Sequence, residues 1–363
     1  MFVAWRDMRF ARGRFTLMTL VVVLLMLLVG LISGLTEGLA RSSTSAVTGL
    51  PVDHLTLAAP SDGEDAAFER SMLSREQAHE WSRATGVERA APFGVGTARA
   101  ELDGHAARIS VFGVAASGEP GGSLIPGGQP VARGAAVLST GAAEELDAGP
   151  GDVLTLPGHS LRVRAVAGTD SYSHAPVVWL ALPDWRELAG GAQGAGYATA
   201  LALDTTADAD LAATDARLGT TTIARDDARH AVSSFDAENS SLQAMRGLLL
   251  AISALVTGAF FAVWTIQRST DIAVLKALGA ATGYLVRDAL AQACAVLVAG
   301  IAAGSALAVA TGAAVSGVVP FALDAGTLLA PATAMLVLGL LGASLAVRRV
   351  TAIDPLTALG SAR

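Results

Sequence analysis

The chain has 363 residues, of which 52% are hydrophobic and 16% are charged, so it is long enough for more than one domain. Its formal net charge is −7 and its basic residues are dispersed, which argues against nucleic-acid binding. The single cysteine, Cys294, excludes a disulfide framework, and the sequence contains no G-K-[ST] step of a nucleotide-binding P-loop.

Four long uncharged segments predict membrane-spanning helices. Each reaches the roughly 20 residues that a helix needs to cross a bilayer, and the third is long enough to be tilted or to protrude. The first is too long for the apolar region of a cleavable signal peptide, so we expect a retained anchor. The segments are residues 16–36, 247–267, 289–323 and 325–347.

The charge distribution predicts the orientation. Basic residues precede the first segment and follow the second and fourth, which places those regions in the cytoplasm under the positive-inside rule. Residues 39–243 carry 26 acidic and 14 basic side chains, as expected of a region outside. We expect an amphipathic N-terminal helix and the first transmembrane helix in residues 1–40, an extracellular α+β domain in 41–240, and transmembrane helices 2–4 in 241–363.

One face of the first transmembrane helix combines glycine with sulfur and a carboxylate. Gly30, Gly34 and Gly38 form a small-xxx-small series that lets another helix approach closely. The helical repeat brings a methionine, a glycine, a serine and a glutamate within about 60° of one another. The alternatives are that Glu37 only marks the water boundary and that Met26 faces lipid. The predicted substrate-binding residues of this helix are Met26, Gly30, Ser33, Gly34 and Glu37.

Short alternating apolar runs between turn residues predict the α+β fold of the inserted segment. The clearest signals are a capping box at Ser74 and Gln77 and a hairpin that turns at Pro157-Gly158. All six histidines lie in this segment, and none has the spacing of a metal-binding pair. The expected strands include residues 54–58, 98–114, 153–156, 161–167, 177–182 and 199–203, and expected helices include 183–188 and 208–218.

The segment between the second and third spans is amphipathic. Its charged residues keep it out of the bilayer core, where each would cost roughly 2.5–3.5 kcal/mol. Ile272, Leu275 and Leu278 recur every three residues and Gly279 follows them, which predicts a short helix over residues 268–279. Such a helix lies at the membrane surface or docks into another protein.

This segment, TIQRSTDIAVLKALGA, resembles the coupling helix of FtsX/MacB-type ABC-transporter permeases, and the tail AVRRVTAIDPLTALG resembles the ending of the same family. The resemblance implies that a separate ABC-type ATPase subunit receives the helix and hydrolyses ATP. With four spans and one coupling helix, the permease would act as a homodimer with two ATPase copies in membrane lipid. The residues implied for ATPase coupling are Arg268, Asp271, Leu275, Lys276 and Gly279.

Four segments resemble, more narrowly, the haem-exporting permeases of Gram-positive bacteria, the Hrt type. They are ISGLTEGLAR, SYSHAPVV, AVWTIQRSTDIAVLKALG and VPFALDAGTLL. This resemblance implies export of excess haem from the membrane. The substrate would lie at the dimer seam, where the first and second spans of both protomers meet.

Haem in such a seam would need ligands other than histidine, because no histidine lies in a predicted span. Methionine sulfur or a carboxylate remains, so Glu37 and Met245 are the candidate haem-iron ligands. Residues 235–246 lead into the second span and bring Glu238 to its outer mouth as a further substrate-binding residue. Ordinary packing is the alternative for the methionines.

The chain carries no catalytic constellation, so we expect a permease without enzymatic activity of its own. Two other functions are compatible with the sequence. A permease for a lipid, a lipoprotein or a peptide antibiotic would have a wide apolar seam. A non-transporting signal transmitter of the FtsX kind would have no small-molecule site there.

The predicted orientation is tested by labelling. A cysteine placed at Ser123 in a Cys294→Ser background should react with an impermeant thiol reagent in whole cells, because residues 41–240 are expected outside. Labelling only after lysis would contradict the orientation.

Overall fold

A computed structural model of the chain describes residues 12–61, 63–116, 123–190, 196–267, 274, 281–315 and 319–351. It divides into two compact units. The first, which we call the helical unit, comprises Met1–Gly38 and Ser240–Arg363. The second, which we call the inserted domain, comprises Leu39–Asn239.

The described residues form helices and strands that are numbered in chain order. The α-helices are α1 (Arg12–Thr48), α2 (Arg75–Trp81), α3 (Thr140–Leu146), α4 (Leu182–Gly190), α5 (Leu211–Leu218), α6 (Phe235–Gln267), α7 (Thr282–Val315) and α8 (Ala325–Thr351). The strands are β1 (His54–Ala58), β2 (Val87–Leu102), β3 (His105–Val114), β4 (Ala135–Leu138), β5 (Val153–Leu156), β6 (His159–Val166), β7 (Ser171–Tyr172), β8 (Ala175–Ala181), β9 (Ala200–Thr205) and β10 (Thr220–Ala224).

Helices α1, α6, α7 and α8 are long and apolar enough to cross a membrane, which confirms the four predicted spans. One detail differs from the prediction. The third uncharged segment extends to residue 323, but α7 ends at Val315 and residues 319–324 are not helical.

The start of α8 is fixed by a reciprocal side-chain cap. The amide of Thr327 donates to Asp324 Oδ1 at 2.8 Å, and the amide of Asp324 donates to Thr327 Oγ1 at 2.9 Å. This arrangement satisfies amides that have no partner within a first helical turn.

Helices α1 and α7 pack through small residues at four-residue intervals. A Cβ added to Gly304 would lie 2.7 Å from Met26 Cβ, so the two backbones approach closely there. One turn further along both helices, a Cβ on Gly30 would lie 2.9 Å from Ala308 Cβ. These contacts advance in the same direction along both helices, so α1 and α7 run parallel, as the first and third spans of a four-span protein must.

The turn between α7 and α8 docks on the next glycine of α1. The ring of Phe321 lies between Gly34 and Gly312, and a Cβ on either glycine would overlap it. The amide of Ala322 also donates to the carbonyl of Gly34 at 3.0 Å. The glycine series of α1 therefore seats a helix and a turn of the same chain.

Strand β2 connects the two halves of the inserted domain. Its first part pairs with β9 from Val87 to Phe93, and its second part pairs with β3 from Gly94 to Leu102. The strand order is β10-β1-β9-β2-β3-β8-β4-β6-β5, with β7 paired to β8. A pairing of Glu101 with Thr155 brings β5 back to β2, so the second half closes on itself.

The sequence signals with the strongest local chemistry are confirmed in this domain. The capping box of Ser74 and Gln77 starts α2, and Pro157-Gly158 turns β5 into β6. Helix α2 ends at Trp81. Strand β10 was not predicted, because its threonine-rich run lacks apolar alternation; it pairs with β1.

The seating of Phe321 can be tested by non-additivity. Gly34→Ala should lower the free energy of unfolding by about 1–3 kcal/mol, because the new methyl overlaps the ring. In the background of Phe321→Ala, the same substitution should cost much less. Thermal unfolding of the detergent-solubilised protein measures both.

Gly247→Ala is the matched control, since nothing lies within 4 Å of a Cβ at that helical position. It should be neutral or slightly stabilising. Equal costs for Gly34→Ala with and without Phe321 would contradict the packing described.

Candidate functional site

The predicted substrate face of α1 is occupied by its own chain. Met26 is completely buried in a cluster with residues of α6, α7 and α8. Gly30 packs on Ala308, and Gly34 on Phe321. The expectation that these residues leave room for a flat substrate at a dimer seam is therefore corrected. Spacing by four predicts close packing, but it does not identify the partner.

The end of this face nearest the inserted domain has one accessible side chain. Ser33 is 1% exposed and its hydroxyl has no hydrogen-bond partner within the described residues. Glu37, one turn further, is partly exposed. Gly38 lies so close to the carbonyl of Pro320 that a Cβ there would overlap it. Of the predicted residues on α1, Glu37 is thus the one that a ligand can reach.

Met245 lies on an exposed apolar stripe of α6. Its side chain is 47% exposed, and Leu248, Ile252 and Leu255 continue the stripe at intervals of three or four residues. A helix with this pattern covers its apolar face with lipid or with another helix. The stripe is the part of α6 on which an apolar ligand or a second protomer can lie.

Glu238, the second predicted substrate-binding residue outside α1, belongs to a three-residue contact in the inserted domain. His174 Nε2 lies 2.8 Å from Glu238 Oε2, and His174 Nδ1 lies 2.8 Å from Ser42 Oγ. Ser42 is on α1 and Glu238 is in the first turn of α6. The imidazole therefore bridges two helices that continue into the helical unit.

The backbone around His174 is bonded to the same helix. Ser173 N donates to Ser43 O at 2.9 Å, and Ser171 N donates to Ser45 Oγ at 2.9 Å. Sequence reasoning treated His174 as an isolated turn histidine. The signal that could have found it was the segment SYSHAPVV, but no spacing rule says which helices its ring will meet.

A second feature that the sequence did not predict is a cavity of about 300 Å³ beside the middle of β2. Its wall includes Phe68, Trp185 and Arg108, and Glu69 lies at its edge. The hydroxyl of Tyr172 donates to Glu69 Oε1 at 2.8 Å. Burial, followed by the charge of Glu69 and this hydrogen bond, raises the pKa of Tyr172, so the phenol stays protonated.

The predicted coupling helix, with Arg268, Asp271, Leu275, Lys276 and Gly279, lies outside the described residues. Of the segment 268–280, only Val274 is described, and its side chain is exposed. The role of the segment stays a prediction. No group of three histidine, cysteine, aspartate or glutamate side chains within the described ranges is placed to hold a metal ion.

Four spanning helices with an α+β domain inserted between the first and second define a multi-pass membrane protein of the permease class. The family model of the MacB-like periplasmic core domain matches residues 15–220, more than half of the chain. The model of the FtsX-like permease C-terminal matches residues 244–355. The chain therefore belongs to the FtsX/MacB family of ABC-transporter permeases, a class that works with an ATPase partner.

Curated relatives match the whole chain at low identity. A protein of Staphylococcus haemolyticus named "Putative hemin transport system permease protein HrtB" is 25% identical over 363 residues, which is 99% of both chains. A protein of the same name from Staphylococcus epidermidis is 24% identical over the same coverage. The crystal structure of the periplasmic region of MacB from Actinobacillus actinomycetemcomitans matches with a TM-score of 0.37 and 10% identity, covering 51% of this chain and 94% of that one.

Proposed function

We propose that this permease exports haem from the membrane, driven by ATP hydrolysis in a separate ATPase subunit. The observation that carries the proposal is the similarity over 99% of the chain to relatives named as hemin transport permeases. The accessible side chains of Glu37 and Met245, which carry atoms able to bind iron, are compatible with it. Haem is amphipathic and partitions into bilayers, so a permease can take it directly from lipid.

The iron would be held by Glu37 and Met245. Both lie in the helical unit, and both have side chains that a ligand can reach, unlike the fully buried Met26. Methionine sulfur is an established axial ligand of haem iron, and a carboxylate supplies an oxygen donor.

The transporter would be a homodimer with two ATPase subunits, with both termini in the cytoplasm and the inserted domain outside. The exposed stripe of α6 that contains Met245 is long enough to serve as part of the seam between protomers. A porphyrin on this stripe would contact Leu248 one turn away from the sulfur. The segment 268–279 would dock in the ATPase and transmit its movement.

Haem ligation is tested by titrating the purified protein with haemin and recording the Soret band. Glu37→Ala and Met245→Leu should each shift the band or weaken binding about tenfold or more, because each removes a donor atom. Met245→Leu keeps the apolar volume, so its effect isolates the sulfur.

Leu248→Ala provides the control, since Leu248 is also exposed on the same stripe but has no donor atom. It should leave the position of the Soret band unchanged. Wild-type spectra for both ligand variants would move the iron ligands elsewhere. No haemin binding by the wild-type protein would leave a lipid, lipoprotein or peptide substrate as the better explanation.

Coupling is tested with the complex of permease and ATPase. Replacing Asp271, Leu275 and Lys276 together by alanine should abolish the stimulation of ATP hydrolysis by the permease, because a rigidly docked helix passes motion between subunits. Haemin binding to the permease should be unchanged. Full stimulation by the triple variant would contradict the role of this segment.

A further inference from the structure

We propose that His174 is a positioning residue that fixes the hairpin of β7 and β8 to both α1 and α6. Through this bridge, a movement of either helix would be passed to the sheet of the inserted domain. The inference rests on the permease function but not on the identity of the substrate. Neither the predicted site nor the family assignment gives His174 a role.

The imidazole makes one hydrogen bond with each of its nitrogens. An ionised carboxylate only accepts, so Nε2 carries a proton and donates to Glu238 Oε2 at 2.8 Å. In the neutral ring, Nδ1 then accepts from the hydroxyl of Ser42 at 2.8 Å. Both ring nitrogens are therefore engaged in the bridge.

The backbone of the turn that carries His174 is itself hydrogen-bonded to α1. Ser173 and His174 have φ angles of +49° and +58°, in the left-handed region that non-glycine residues seldom adopt. Their amides donate to Ser43 O at 2.9 Å and Ser42 O at 3.2 Å. Positive φ angles at both residues are what a two-residue hairpin turn between paired Tyr172 and Ala175 requires, so the turn itself fixes where the ring begins.

The hairpin is anchored rigidly on its other side. Every residue of β8 is buried, and the strand pairs with both β3 and β4. The adjoining Tyr172 is 2% exposed, and its hydroxyl is bonded to Glu69. A displacement at His174 is therefore transferred to the centre of the sheet and is not absorbed by a flexible loop.

The two helices that His174 joins have a particular place in the chain. Helix α1 passes from the helical unit into the inserted domain, and α6 returns from the inserted domain to the helical unit. Each is continuous across that boundary, since α1 has 37 residues and α6 has 33. The ring thus joins the two helices along which the chain passes between the units.

This bridge also gives Glu238 a different role from the one predicted. Its carboxylate is committed to His174 Nε2, so it acts in positioning and not as a primary substrate ligand. A direct ligand role would instead require Glu238 to leave the histidine when substrate binds. The two roles are separated by Glu238→Gln, which keeps a hydrogen-bond acceptor but loses the anionic charge.

The experiment uses the full permease with its ATPase in lipid nanodiscs, without haemin. Hydrogen–deuterium exchange of peptides covering β7 and β8 is compared before and after trapping with ATP and vanadate. In the wild type, trapping should change the exchange of these peptides. His174→Asn and Glu238→Ala should each reduce that change about fivefold or more, within the usual range of coupling between sites.

Four variants make the result specific. His174→Asn removes the bridge while keeping a residue that tolerates the left-handed backbone. The double variant with Glu238→Ala should be no worse than either single variant, because both break the same bond. Glu238→Gln and His79→Asn should resemble the wild type; His79 is an exposed histidine of α2.

The proposal is overturned if His174→Asn behaves like His79→Asn, or if the effects of the two bridge variants add. If Glu238→Gln reduces the change in exchange as much as Glu238→Ala does, the charge of Glu238 acts directly and the bridge is not the cause. Because no haemin is present, the outcome is independent of the Soret titration. A failure of haem binding would leave this test intact, and the reverse also holds.

Discussion

The packing of the helical unit depends on the close approach of α7, and of the turn between α7 and α8, to the backbone of α1. Gly30 packs against Ala308 and Gly34 against the ring of Phe321, so closely that a Cβ at either position would overlap its neighbour. In a bilayer, helices gain little by burying apolar surface, so close packing and backbone contacts provide much of the attraction. The hydrogen bond from Ala322 to Gly34 adds a polar contact to this packing. These contacts fix which face of α1 remains available for other partners.

The available surfaces follow from that constraint. Once the glycine face of α1 is filled, Glu37 and the stripe of α6 that begins at Met245 are the accessible predicted positions. The inserted domain is attached to the same two helices through His174, which contacts Ser42 and Glu238. The packing in the helical unit and the bridge in the inserted domain therefore both involve α1.

The sequence predicted contacts between residues that are near each other in the chain, and it did not predict contacts between residues that are far apart in it. Local chemistry was sufficient for the capping box at Ser74 and for the hairpin at Pro157-Gly158, because those signals involve residues next to each other. Long uncharged runs were sufficient for the four spans. The partner of the α1 glycines was assigned wrongly, because spacing reports a close approach without naming its source. The role of His174 was missed because it depends on a contact over 132 residues of chain.

The central claim is that this permease moves haem out of the membrane at the expense of ATP. Its most direct test uses proteoliposomes that contain the permease and its ATPase, oriented with the ATPase exposed. Haemin is incorporated in the lipid, and apomyoglobin enclosed in the lumen reports the arriving haem by its absorbance. The account predicts transfer that requires ATP and stops with vanadate. Steady ATP hydrolysis with no transfer above that of protein-free liposomes would contradict it.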